Sequence, residues 1–132
     1  MRSVRVAAAA SSVRMVRALL RRELAHLPPE VCDDAALVVT ELLCNALEHG
    51  GRLEDGTLEV RWDVLPEGVK IAVVDGGGSS VPTVRESSLT ATVGRGLSIV
   101  SRLVSRWGVE RHPGQTLVWA IVPLAESARM CG

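Results

Sequence analysis

The sequence predicts an α+β fold, a two-layer sandwich with three helices on one face of a mostly antiparallel or mixed sheet. Segments whose apolar residues alternate with period two indicate strands, and segments with helical spacing fall between them. The resulting order, β-α-α-β-β-α-β-β, is typical of helices layered on one sheet. With 132 residues and 47% hydrophobic content, the chain is long enough for one core. We therefore expect a single domain over residues 1–123 and a C-terminal tail over residues 124–132.

The first strand and the first helix are recognised by a change in the spacing of their apolar residues. Val4 and Val6 alternate with arginines, which suits a short strand. A helical stripe follows, formed by Val13, Val16, Leu20, Leu24 and Leu27. We expect Ser11 or Ser12 to cap this helix, because a serine oxygen accepts a hydrogen bond from the first unpaired amides of a helix.

The second helix is bounded by residues with special backbone preferences. Pro29 suits the first helical position because its fixed φ matches the helix. The helix is expected to continue to about His49 and to stop at Gly50 and Gly51, since glycine commonly ends helices.

Two hairpins and a third helix complete the predicted order. The four strands are expected at residues 57–64, 69–74, 107–111 and 116–122. The third helix should follow Gly94, with Val100 and Leu103 turned inward. Between Gly76 and Gly94 lies a polar loop of almost twenty residues, and loops of that length in a small domain are often functional.

Composition argues against several classes of partner. Acidic and basic residues balance at 15 each, and the only aromatic residues are three tryptophans, so we expect no direct nucleic-acid partner. No stretch is long and apolar enough to span a bilayer, so we expect no membrane partner. Three widely spaced cysteines form no metal-binding pattern and indicate a reducing compartment, hence a cytoplasmic protein.

Three polar residues recur every fourth position along the second helix, at Glu41, Asn45 and His49. Such spacing places them on one slowly drifting stripe. Glu41 can act as a general base, the Asn45 carboxamide oxygen suits magnesium, and His49 can donate to a phosphate. A solvated polar face is the alternative interpretation of the same pattern.

A second cluster follows the strand that ends at Val74. Asp75 precedes three glycines, and a carboxylate there can accept from an exocyclic amino group such as that of adenine. Gly77 would permit close approach of the ring. A plain Asp-Gly turn between strands is the alternative.

Two further segments suit an anion and a base. Gly94–Leu97 opens the third helix, where free amides and the positive end of the dipole favour a phosphate. Thr116 can hydrogen-bond a base or a water beside Asp75. A flexible helix cap and a strand-favouring threonine are the respective structural alternatives.

The order of these motifs resembles the GHKL ATPase/kinase superfamily. The pattern is Glu41-x-x-x-Asn45-Ala46-x-x-His49-Gly50, Asp75-x-Gly77, Gly94-x-Gly96-Leu97 and Gly114-x-Thr116. Within it, the chain is similar to the small anti-sigma-factor serine kinases and related stand-alone regulators of actinobacteria, over residues 8–123. One departure is in the first glycine box, which in that family tends toward Asp-x-Gly-x-Gly. Here the second glycine has either moved by one place or been replaced by Ser79.

The resemblance implies a Mg-ATP site and assigns a role to each motif residue. The implied roles are Glu41 as general base, Asn45 as Mg²⁺ ligand, Asp75 as acceptor from the adenine amino group, Gly77 beside the base, Gly94, Arg95 and Gly96 at the phosphates, and Thr116 in the adenine pocket. Leu97 continues the phosphate-binding segment and His49 lies at the pocket's edge. The implied activity is phosphorylation of a serine or threonine on an anti-sigma-factor antagonist. A sigma factor is the implied second partner, and a homodimer is possible in this group.

Two other interpretations remain. A non-catalytic nucleotide-binding or degenerate module could act by sequestering a partner, which Ser79 and a lid with Arg85 as its one basic residue before Arg95 would favour. The ATPase part of a sensor histidine kinase is disfavoured, because the sequence shows no dimerising phosphoacceptor helix pair.

Overall fold

The structure, a computed structural model, describes residues 1–77 and 100–124. Its elements are β1 (Arg2–Ala7), α1 (Ser11–Glu23), α2 (Pro29–His49), β2 (Thr57–Leu65), β3 (Gly68–Asp75), β4 (Arg106–His112) and β5 (Gln115–Pro123). Residues 100–103 are helical, and the rest of the predicted third helix lies outside the described residues. The predicted order of elements is therefore confirmed wherever the chain is described.

The strands form one sheet in the order β1-β2-β3-β5-β4, and every neighbouring pair is antiparallel. The alternation of apolar and polar residues fixes which side of each strand is buried, because a slip of one residue would reverse every side chain. β3 is an exception to clean alternation, with buried side chains along most of its length. Its central position, between β2 and β5, explains that continuous burial.

Both fully described helices pack on the same face of the sheet. α1 packs against α2, and α2 contacts β3 and β5 at the sheet centre. The core between them is made of aliphatic residues together with Trp62 and Cys32, and its aliphatic members include Leu20, Leu24, Val38, Leu43, Leu58, Val60, Ile71, Val73 and Ala120. This arrangement confirms the predicted α+β sandwich and brings the C-terminal half of α2 over the middle of the sheet.

The predicted serine cap of α1 is wrong. Ala10 is the N-cap residue, and no side chain caps the helix. The hydroxyl of Ser12, which is buried, instead donates a hydrogen bond of 2.6 Å to the carbonyl oxygen of Ala7. Ser12 therefore stabilises the connection between β1 and the helix rather than the free amides of the first turn.

The last described residue, Leu124, contacts the core. The first residue of the predicted tail is therefore part of the domain, and residues 125–132 lie outside the described part. Among the described residues, no helix combines the length and apolar character needed to cross a membrane.

Candidate functional site

A cavity lies between α2 and the end of the sheet from which the predicted adenine loop leaves. Its lining comes from four elements: Leu42, Asn45 and Ala46 of α2, Val73 and Asp75 of β3, Arg111 of β4, and Thr116 and Val118 of β5. The space it encloses is about 10 Å³, room for about one water molecule, and the figure rises to about 340 Å³ only when the solvent at its open mouth is included. Asn45, Asp75 and Thr116, which three separate motifs predicted as site residues, thus line one cavity.

The polar floor of the cavity is built by neighbouring strands. Asp75 ends β3 directly opposite Thr116 of β5, and their exposed fractions are only 2% and 4%. The amide of Gly77 donates a hydrogen bond of 2.7 Å to Oδ1 of Asp75. Because a buried carboxylate is costly unless hydrogen bonds satisfy it, this bond helps to hold the Asp75 side chain in place. The result is an acceptor group fixed before any ligand arrives.

Glycines allow the end of α2 and the loop after β3 to meet at Asp75. A Cβ added to Gly50 would lie 2.5 Å from Cγ of Asp75, a separation that real side chains do not adopt. The amide of Gly76 donates a hydrogen bond of 2.6 Å to the carbonyl of Gly51. Gly77 has a φ of +79°, a left-handed conformation that glycine adopts without strain. These glycines let the two segments touch and so position the carboxylate.

Only one of the three residues in the predicted polar stripe on α2 lines the cavity. All three residues are partly buried, but Asn45 lines the cavity and Glu41 and His49 do not. Nε2 of His49 has no hydrogen-bond partner among the described residues, and it lies 3.5 Å from the exposed Glu48 carboxylate. The roles expected of Glu41 and His49 therefore stay predictions.

A thiol lies on the same half of α2. Burial, and then the negative charges of Glu41 and Glu48, raise the pKa of the half-buried Cys44 thiol above its usual value. Both effects disfavour the thiolate, so Cys44 stays protonated near neutral pH and is a poor nucleophile.

Sequence reasoning missed part of the lining. Val73 and Val118 could have been found, because each lies two residues from a predicted site residue and so shares its face of the sheet. Arg111 belongs to none of the sequence motifs. It reaches the cavity because it pairs with Thr116 across β4 and β5. Gly94, Arg95, Gly96 and Leu97 lie outside the described residues.

Comparison with known families agrees with this geometry. Residues 5–122 match the family model described as the histidine kinase-like ATPase domain. The chain belongs to the histidine kinase-like ATPase domain family. The match covers nearly the whole described domain, and it confirms the resemblance to GHKL ATPases and kinases.

Two larger proteins each contain a region that is similar to this chain. It is 36% identical over 90 residues to the C4-dicarboxylate transport sensor protein DctB of Rhizobium meliloti (strain 1021), spanning 60% of this chain and 14% of that protein. The crystal structure of the RsbU and RsbW domains of Rv1364c from Mycobacterium tuberculosis superposes with a TM-score of 0.64 at 21% identity, over 94% of this chain and 33% of that one. The structural likeness at this identity shows the shared fold.

A metal ion bound by this ATPase domain would need ligands from the nucleotide as well as from the protein. In residues 1–77 and 100–124, no three His, Cys, Asp or Glu side chains are grouped so that they could hold a metal ion. Asn45 offers one neutral oxygen at the cavity. Mg²⁺ commonly takes one or two protein ligands together with phosphate oxygens and waters, so the donor set fits a metal delivered with a nucleotide.

Replacing Gly50 with alanine is expected to weaken ADP binding about tenfold and to cost about 1–3 kcal/mol of stability. The added methyl group would displace the Asp75 carboxylate, against which it has no room. Calorimetric titration with ADP, corrected for the folded fraction, measures the first effect, and thermal unfolding measures the second.

Gly108→Ala is the matched control, because its methyl group would meet the Trp119 ring at 2.8 Å, on the outer face of β4 and away from the cavity. It should lower the unfolding temperature and leave the affinity of the folded protein for ADP unchanged. Equal losses of affinity in both variants would contradict the role assigned to Gly50.

Proposed function

We propose that this chain is an ATP-binding protein serine/threonine kinase of the anti-sigma-factor type. Its substrate would be a small anti-sigma-factor antagonist, and its regulated partner would be a sigma factor. The observation that carries the proposal is the meeting of Asp75, Thr116 and Asn45 on one cavity in a chain of the ATPase-domain family. The structural neighbour, which is named for RsbU and RsbW domains, supports this class of system.

The adenine base would bind at the polar floor of the cavity, which would have to widen beyond its enclosed volume of about 10 Å³ to admit the ring. Asp75 is an acceptor held by the Gly77 amide, and it would receive a hydrogen bond from the exocyclic amino group. Thr116, directly opposite, would contact the neighbouring ring nitrogen or a water beside it. Leu42 and Ala46 form an apolar wall from α2, which excludes water from the ring and strengthens both hydrogen bonds.

The phosphates would extend along α2, and Gly94, Arg95 and Gly96 would bind them. Asn45 would hold Mg²⁺, which when bound offsets charge on the phosphate oxygens. Glu41 lies one turn before Asn45 on α2 and would accept the proton of the attacking serine hydroxyl. The serine oxygen would bond to the γ-phosphorus as the bond to the β–γ bridging oxygen breaks, which transfers the phosphoryl group and releases ADP.

Two measurements test this function in order. Mg-ADP at about one hundred times its dissociation constant should stabilise the fold by about 2.7 kcal/mol, which thermal unfolding detects. Incubation with γ-labelled ATP, magnesium and antagonists encoded near the gene should then label a serine or threonine of one antagonist. Absence of labelling would rule out the kinase proposal, and absence of the thermal shift as well would rule out nucleotide binding.

A non-catalytic module that acts by sequestering its partner is the second candidate. Ser79, in the place of a family glycine, favours it. This candidate predicts the thermal shift with Mg-ADP but no labelled antagonist, together with a stable complex with the sigma factor.

The family model is described as histidine kinase-like, so a histidine acceptor is the reaction to be distinguished from transfer to serine. Stability of the product to acid distinguishes the two kinase reactions. A phosphoryl group on serine survives acid treatment, whereas one on histidine is lost.

A further inference from the structure

The cavity has a fourth polar side chain that no motif assigns, Arg111 of β4. It pairs across the sheet with Thr116, which pairs in turn with Asp75. The three residues therefore form one row across β3, β5 and β4, and they share the face that carries α2. All three line the same cavity.

The row changes in depth from one end to the other. Asp75 and Thr116 are buried, whereas Arg111 is exposed. Neighbouring strands are about 4.8 Å apart, so the backbone of Arg111 lies about 10 Å from that of Asp75. An arginine side chain is long enough to cover most of that distance. Arg111 therefore stands at the mouth of the cavity, while the other two residues form its floor.

We propose that Arg111 binds the exposed face of the nucleotide's purine ring. The inference rests on the proposed function, because it assigns an additional contact to the same site. Asp75 and Thr116 occupy the depth at which the edge of the base would be recognised, which leaves the ring face for a residue at the mouth. A planar guanidinium stacks well on an aromatic ring and is attracted by its π electrons. The apolar side chains of Leu42 and Ala46 supply a second wall for the ring.

A base contact and a phosphate contact predict different results with adenosine, which has no phosphate. Arg111→Ala should weaken the binding of ADP about tenfold and that of adenosine by the same factor. Calorimetry or NMR titration with each ligand measures the two dissociation constants. The equal loss for both ligands is the result that identifies contact with the base.

Arg106→Ala is the matched control on the same strand. Arg106 is also exposed, but it lies on the opposite face of β4 and forms an ion pair of 3.1 Å with the exposed Glu67. Its removal deletes the same charge from the same strand and should leave both dissociation constants unchanged. Surface pairs of this kind contribute little to stability, so this control should fold normally.

Arg111→Lys keeps the charge and most of the stem but loses the planar group, and it provides a second variant if the alanine variant unfolds. It should lose part of the affinity for both ligands. Affinity for ADP changed by less than about twofold in the variant tested would overturn the inference, as would a loss confined to ADP. Wild-type protein that binds neither ligand would overturn the proposed function itself, and the inference with it.

Discussion

Asp75→Asn is expected to weaken ATP binding about tenfold or more. Oδ1 of Asp75 already accepts a hydrogen bond from the Gly77 amide. The single carbonyl oxygen of an asparagine could therefore accept either from that amide or from the adenine amino group. The amide nitrogen would then present a donor where an acceptor is needed. A mispaired buried group costs about 1–3 kcal/mol, which gives the expected factor. Isothermal titration with ATP measures it directly.

Asp63→Asn is the control for this substitution. Asp63 lies on β2, is 35% exposed and is 3.7 Å from the N-terminal amine, well away from the cavity lining. The same chemical change there should leave the affinity for ATP unaltered. If Asp75→Asn also binds ATP like the wild-type protein, the carboxylate does not recognise adenine.

Glu41→Gln is expected to lower the rate of phosphoryl transfer by about 10²–10⁴-fold while ATP affinity stays nearly constant. Glutamine has almost the same shape as glutamate but cannot take the serine proton. Since Glu41 does not line the cavity beside Asp75, its loss should hardly affect the base-binding end. Single-turnover transfer to the antagonist measures the rate, and titration measures the affinity.

Glu48→Gln provides the comparison on the same helix. Glu48 is 61% exposed, and like Glu41 it contributes a negative charge near Cys44. A similar fall in rate in both variants would indicate a general effect of charge on α2 rather than a base at Glu41. Weakened ATP binding with unchanged turnover in Glu41→Gln would contradict the assigned role.

Periodicity in the sequence was sufficient to predict the elements of the described residues and the buried side of their strands. The second helix begins at Pro29 and ends at His49, as the proline and the two glycines indicated. These features depend on residues close together in the chain, where backbone preference and burial act in the same direction. Asn45 and Asp75 could be proposed for the same reason, since each stands at a marked place in a local pattern.

Those local patterns could not predict contacts between segments that are far apart in the sequence. Ser12 could cap its own helix or bond back to Ala7, and the path of the chain from β1 into α1 selects the second. Spacing put Glu41, Asn45 and His49 on one stripe, but the stripe drifts by about 40° at each step. How α2 is rotated against the sheet therefore decides that only Asn45 lines the cavity.

The sequence by itself determined the α+β architecture and the boundaries of α2, because those follow from short-range periods and residue types. The tertiary structure decided which groups share the cavity. Arg111 joins Thr116 and Asp75 through the register of three strands, and Gly50 meets the Asp75 carboxylate because the end of α2 lies beside the end of β3. Hydrogen-bond register and the packing angle of a helix are collective properties of the folded chain, so no local pattern contains them.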